Sequence, residues 1–136
     1  MTFEEAVKLA KYPAPILPVK TVSTLNVREH WAKRAARAKL QRANAYHYLI
    51  RNIGTARPKL PITVTITRIA PRKLDDDNLA GACKSIRDGV ADYFQTDDRN
   101  PHIAWKYGQK KGGVGEYGVI IEIESKPDLS LVGQLT

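Results

Sequence analysis

From Pro61 to Ile69 the chain alternates strictly: Ile62, Val64 and Ile66 are apolar, while Thr63, Thr65 and Thr67 are polar. Successive side chains of a strand point to opposite faces, so this period of two predicts a strand with one buried face, ended by Pro71. Residues 28–53 carry a different period. Trp31, Ala35, Ala38, Ala45, Tyr46, Leu49 and Ile53 recur at spacings of three and four, which predicts a helix that buries this stripe and stops at Gly54. Arg42 falls near the stripe's centre, where it either lays its stem on the core or aims its guanidinium into a groove. Leu79, Ala82, Cys83, Ile86, Val90, Tyr93 and Phe94 predict a second long helix, capped by Asp77 or Asn78 and running to about Phe94.

The flanking segments are plainer. Phe3, Val7 and Ala10 suggest a short amphipathic helix over residues 1–12, and Pro13, Pro15 and Pro18 favour an extended run toward Leu25. Ile103, Trp105 and Tyr107 alternate on one side of Gly112, Gly113 and Gly115, and Tyr117, Val119, Ile121 and Ile123 on the other, which reads as a β-hairpin. The expectation is a single α+β two-layer domain over residues 1–124. It has a small mixed β-sheet of about four strands, two main helices and a C-terminal β-hairpin, with residues 125–136 as a tail.

Charge changes this picture by singling out one segment. The formal net charge is +8. Residues 28–59 hold nine Lys or Arg against the single acid Glu29, and the remainder of the chain is balanced. A basic excess confined to one segment is the electrostatic footprint expected on nucleic acid, although a solvated helix face has the same composition. The acids are as unevenly placed: Asp75, Asp76 and Asp77 form one cluster, and Asp97 and Asp98 a second. Crowded carboxylates repel unless a cation neutralises them, and a hard divalent ion with oxygen ligands suits that task.

In an extended segment Asp75 and Asp77 project to the same side and can share one ion. Asp98 or Asp97 closes the site if the chain returns to the helix's N-terminal end. Lys84 and Asp88 lie on one helix face and are spaced to pair. The bland alternative is a run of Asp favoured by the helix dipole. Other chemistries find no support: there is no Ser-His-acid arrangement, His30, His47 and His102 lack zinc-like spacing, and no strand-to-helix glycine loop is present. The lone Cys83 reads as a small core residue, and Trp105 and Tyr107 as core, interface or base-stacking groups. The acidic start of the chain is unlike a signal peptide and no apolar run reaches the ~18 residues of a membrane span, so a cytoplasmic protein is expected.

The run Leu74-Asp75-Asp76-Asp77-Asn78-Leu79, the helix carrying Lys84 and Asp88, and the pair Asp97-Asp98 together resemble the RusA family of Holliday junction resolvases. There the pattern is Asp-x-Asp-Asn, a helix and an Asp-Asp pair. The stretch from Leu25 through Arg42 and the closing Tyr117–Ile123 strand look like phage-type members, so the likeness spans roughly residues 20–124. The resemblance implies a homodimeric, Mg²⁺-dependent endodeoxyribonuclease (Mn²⁺ serving as a substitute) in a bacterial or phage-infected cell. Such an enzyme resolves four-way junctions by paired symmetric nicks. It implies Asp75, Asp77 and Asp98 as metal ligands and catalytic acids. The family's lysine, three residues after the motif Asn, is Gly81 here, and the nearest lysine, Lys84, is the candidate for its catalytic role. Phosphate contacts are expected from Lys33, Arg34, Arg37, Arg42, Arg72 and Lys73. The alternatives are a basic nucleic-acid-binding protein that does not cut, and a nuclease acting on flaps or forks.

Overall fold

The computed structural model describes residues 14–21 and 30–125. The expected helix over residues 1–12 and the tail beyond Ser125 lie outside them, as do residues 22–29. The described elements run α1 (Trp31–Asn52), β1 (Ile62–Ala70), α2 (Asp76–Ala82), α3 (Lys84–Tyr93), β2 (Ile103–Lys111) and β3 (Gly118–Ser125). The α+β class is as expected, with a mixed sheet of three strands among the described residues rather than about four.

The sheet order is β2-β1-β3. β1 pairs in parallel with β2, Val64 opposite Trp105, and antiparallel with β3, Val64 opposite Ile123. The expected C-terminal hairpin is therefore not formed: β2 and β3 flank β1 instead of pairing with each other. Residues 112–117 cross the end of β1 and span two strand spacings, about 10 Å. The amide of Gly112 donates to the carbonyl of Ala70, the last residue of β1, at 2.9 Å. Glycines at this turn fit a crossing loop as well as a hairpin.

Paired residues share a face, so Ile62, Val64 and Ile66 point the same way as Ile103, Trp105 and Tyr107 and as Val119, Ile121 and Ile123. That face carries the core. Leu49 of α1, Ile86, Val90 and Tyr93 of α3, and Cys83 between α2 and α3 cover it, all essentially without exposed surface. Burying one such side chain stabilises by about 1.5–3 kcal/mol. β1 is buried along its whole length except at Thr65, with Thr63 and Thr67 included, as befits a strand with neighbours on both edges.

Outside the sheet proper, Leu17 bridges Val119 through two backbone hydrogen bonds of 2.8 and 2.9 Å. This sets the 14–21 segment along β3. Two buried polar residues of α1 fasten it: Tyr48 donates to the carbonyl of Pro15 at 2.6 Å and Gln41 to that of Lys20 at 3.1 Å.

α1 ends as expected. Gly54 takes φ +101°, which a side chain disfavours, and the amides of Ile53 and Gly54 both donate to Leu49. The stripe differs. Ala45 and Leu49 are buried, but Gln41 and Tyr48 are the other buried positions, while Trp31 is 74% and Ile53 38% exposed. The second predicted helix is two helices with a break at Cys83. α3 meets α1 where Gly89 lies so close that a Cβ would come within 2.2 Å of the Arg42 carbonyl oxygen and 2.8 Å of Ala45 Cβ. Cys83 is fully buried, and desolvation pushes its thiol up to about 12 despite nearby Arg68, so it is a core residue and no nucleophile.

Candidate functional site

Asp75, and not Asp77 or Asn78, caps α2. Its backbone is extended, and Oδ1 accepts from the Asn78 amide at 2.9 Å and from Asn78 Nδ2 at 2.8 Å. Asp76 and Asp77 form the first turn, where the helix dipole favours anions. The extended geometry that would turn Asp75 and Asp77 to one side therefore ends at Asp75. All three carboxylates are exposed. The loop before them is anchored to β2: Gln109 Oε1 accepts from the Leu74 amide at 2.8 Å, and Gln109 Nε2 donates to the Leu74 carbonyl at 2.7 Å.

The second acidic turn is held against α3. Oδ2 of Asp98 lies 2.7 Å from Lys84 Nζ and 3.0 Å from Arg87 Nε, the latter not aligned for a hydrogen bond. Lys84 also pairs with Asp88 at 2.9 Å, the spacing expected of i, i+4 partners. Burial opposes the ammonium's charge, but the hydrogen bonds it donates to Asp98 and Asp88 outweigh this and raise the lysine's pKa. The Asp98 carbonyl accepts from Trp105 Nε1 at 2.9 Å and Arg87 Nη2 at 3.2 Å. Arg87 also donates to the Tyr107 hydroxyl at 3.0 Å and stacks on Trp105, 4.6 Å from the ring centroid. Asp97 faces Arg99 instead. The Arg99 backbone amide, then its side chain, lower its pKa to about 2.

Both acidic turns thus rest on one row of alternating β2 side chains, Trp105, Tyr107 and Gln109. Their anchors are four residues, or about 13 Å, apart along the strand. The chain does return toward the helices, bringing Asp98 to Lys84 at the start of α3. It does not gather Asp98 with Asp75 and Asp77: among the described residues no group of three or more His, Cys, Asp or Glu side chains is arranged to hold a metal ion. Hard oxygen donors suit Mg²⁺ in type, and Asp75 uses only Oδ1 for its hydrogen bonds. In one chain the donors match such an ion in chemistry and not in arrangement.

The basic residues divide as well. Lys33 and Arg34 are exposed on α1, Arg37 is half-buried, and Arg72 and Lys73 are exposed beside the acidic turn. Arg42 is neither a core stem nor an unengaged groove cation. It grips Asp92 with Nε and Nη2 at 2.6 and 2.7 Å, joining α1 to α3, which lowers the pKa of Asp92 through that hydrogen bond. Arg57 donates to the Tyr93 carbonyl and stacks on its ring. Part of the segment's positive charge is therefore engaged within the fold.

Three residues of this region were not singled out by sequence reasoning. Arg87 lies three positions after Lys84, so both bases share a helix face toward Asp98, a spacing that could have marked it. Gln109 continues the alternation of Trp105 and Tyr107. Arg68, 6% exposed, bonds only neutral groups: Thr21 Oγ1 at 2.9 Å and the Arg72 carbonyl at 2.7 Å. Burial lowers its pKa, and nothing in an alternating strand announces a buried arginine. Comparisons of the chain with protein-family models, with curated proteins and with solved structures each found no match. No helix of the described residues is long and apolar enough to cross a membrane.

Proposed function

We propose that this protein is a metal-dependent endodeoxyribonuclease acting as a homodimer on branched DNA, in keeping with the motif's resemblance to junction resolvases. The observation that carries the reading is the attachment of both acidic turns to one β2 row, with Lys84 and Arg87 beside Asp98. Acids far apart in sequence are thus carried by one strand of a basic domain. Asp75, Asp77 and Asp98 are the proposed ligands of Mg²⁺ or Mn²⁺, which they would hold once drawn together; the ion would supply an activated water and a counter-charge for the scissile phosphate. Lys33, Arg34, Arg37, Arg72 and Lys73 hold the DNA backbone. Lys84 and Arg87 fix Asp98 and keep positive charge beside it. A two-fold dimer suits a four-way junction because its opposed strands are related by the same symmetry.

A second reading has its own support. Asp75 caps a helix and Asp98 is paired with two bases, so each acid has a structural task without any metal. On that basis the protein binds nucleic acid and does not cut it. Incubating the protein with a synthetic four-way junction, with and without Mg²⁺, separates the two. Paired nicks that Asp75→Asn and Asp98→Asn abolish, with binding retained, are the expected result. Binding without cutting in Mg²⁺ and Mn²⁺ favours the second reading, and cutting of flaps or forks in preference to junctions redirects the substrate.

A further inference from the structure

The apolar stripe expected to lie in the core is open over its first half. Trp31, Ala35, Ala38 and Arg42 fall within about 60° of one another around α1. Of these Trp31 is 74% exposed and Ala35 is exposed. The two helices touch at Gly89 and Ala45. On the N-terminal side of that contact they enclose an open groove of about 360 Å³, lined by Ala35, Ala38, Lys39 and Arg42 from α1 and by Ser85 and Asp88 from α3. Its floor is apolar and its rim polar. Arg42 is paired with Asp92, and Asp88 with Lys84, so the lining's uncompensated charge is that of Lys39. Trp31 stands one turn beyond the groove on the same stripe, on the helix that carries Lys33, Arg34 and Arg37.

We infer that this groove is a binding track for an unpaired nucleic-acid strand: an inference that rests on the nucleic-acid-binding part of the reading above but not on cleavage. An unpaired base stacks on the face of Trp31, the sugar lies against the methyl groups of Ala35 and Ala38, and the following phosphate meets Lys39 and the Ser85 hydroxyl. Each surface matches the part of a nucleotide it receives. Aromatic stacking tolerates any base, and a basic rim follows the backbone. A second protein copy fits the apolar floor but gains nothing from a lysine rim on a helix of like charge. The track ends beside Ser85, one residue from Lys84, which holds Asp98. A strand leaving the groove is thereby led toward the acidic turns.

The test is a titration without divalent metal, using a short oligothymidylate and a duplex of equal length, read by tryptophan emission and by anisotropy of the labelled DNA. Quenching of the wild type by the single strand, lost in Trp31→Phe because Trp31 is the reporter, is expected. So is a loss of affinity of about tenfold or more in Trp31→Ala. Ala38→Glu, which puts a carboxylate in the groove, should abolish preference for the single strand, and Lys39→Gln should reduce the salt dependence of binding by about one counterion. These positions lie outside the core, and circular dichroism of each variant checks its fold. Wild-type binding with unchanged affinity in Trp31→Ala and Ala38→Glu overturns the track while leaving the nuclease reading intact. Absence of any DNA binding by the wild type overturns both. A shift of these two variants from dimer to monomer in sedimentation, with DNA affinity unaltered, reassigns the groove to contact between copies and also overturns the track.

Discussion

Lys84 and Asp98 meet at 2.7 Å across fourteen positions of sequence, which ties the turn after α3 back to the beginning of that helix. Asp88 and Arg87 complete the cluster, so the Asp98 carboxylate lies between two bases. Asp98→Asn removes the counter-charge between Lys84 and Arg87 but keeps the side chain's shape and an oxygen to accept from them, and the backbone carbonyl keeps its contacts with Trp105 and Arg87. Asp98→Asn should therefore fold as the wild type while losing metal-dependent nicking. Far-UV circular dichroism and a junction-cutting assay on the same preparation check this.

Asp75 caps α2 and is also a proposed metal ligand, and two substitutions separate the cap from the proposed role. Asn is as good an N-cap as Asp, so Asp75→Asn should leave stability within a few tenths of a kcal/mol. Asp75→Ala should lose about 1 kcal/mol through the unsatisfied first turn. Both should lose cutting. Urea denaturation beside the nicking assay reads the two effects independently.

Gly89 sits where α3 crosses α1, and a methyl group there would meet the Arg42 carbonyl at 2.2 Å. Backbone cannot yield as a side-chain tip does. Gly89→Ala should destabilise by about 1–3 kcal/mol or more through overpacking, seen as a lower urea midpoint with unchanged slope.

The Arg42–Asp92 pair predicts acid sensitivity with a definite sign. Its hydrogen bond from Arg42 lowers the Asp92 pKa below its ordinary 3.8. The contribution is thus complete above that value and fades as pH falls through the lowered one. Both partners are more than a third exposed, so solvent screening holds the effect to about 1 kcal/mol at most. Asp92→Asn should narrow the stability difference between neutral pH and pH 3, measured by thermal melts across that range.

Arg87 links Asp98, Tyr107 and Trp105 through one guanidinium. Arg87→Met keeps the stem but strands the Tyr107 hydroxyl and one acceptor on Asp98. A loss of about 1–3 kcal/mol follows from groups left unsatisfied. Tyr107→Phe removes only one of these contacts and should lose less, again by urea denaturation.

Local patterns announced much of this fold, and long-range pairing did not. The alternation of β1, the C-terminal stop of α1 at Gly54 and the buried Cys83 could be read because periodicity and φ preference act over a few residues. The position of β1 between β2 and β3 could not, because a glycine-bearing loop closes a hairpin and crosses a strand end equally well. Trp31 was expected in the core because the stripe continues to it, but α3 reaches only as far as Ser85 and Asp88, leaving the first turns of α1 uncovered. At the acidic turns, sequence supplied the residues and not their arrangement. The extended geometry that pairs Asp75 with Asp77 gives way to a helix that Asp75 itself caps. The bases that hold Asp98 became visible only once α3 and β2 were side by side.

The central claim is that Asp75, Asp77 and Asp98 serve one cation when DNA is bound. A crystal of the protein with junction DNA, soaked in Mn²⁺, measures this directly through the ion's anomalous signal. The expected result is a peak about 2.1 Å from carboxylate oxygens of all three residues, with Asp98 drawn off Lys84. A peak on only one acidic turn, or none, with Asp98 still clasped by Lys84 and Arg87, would contradict it.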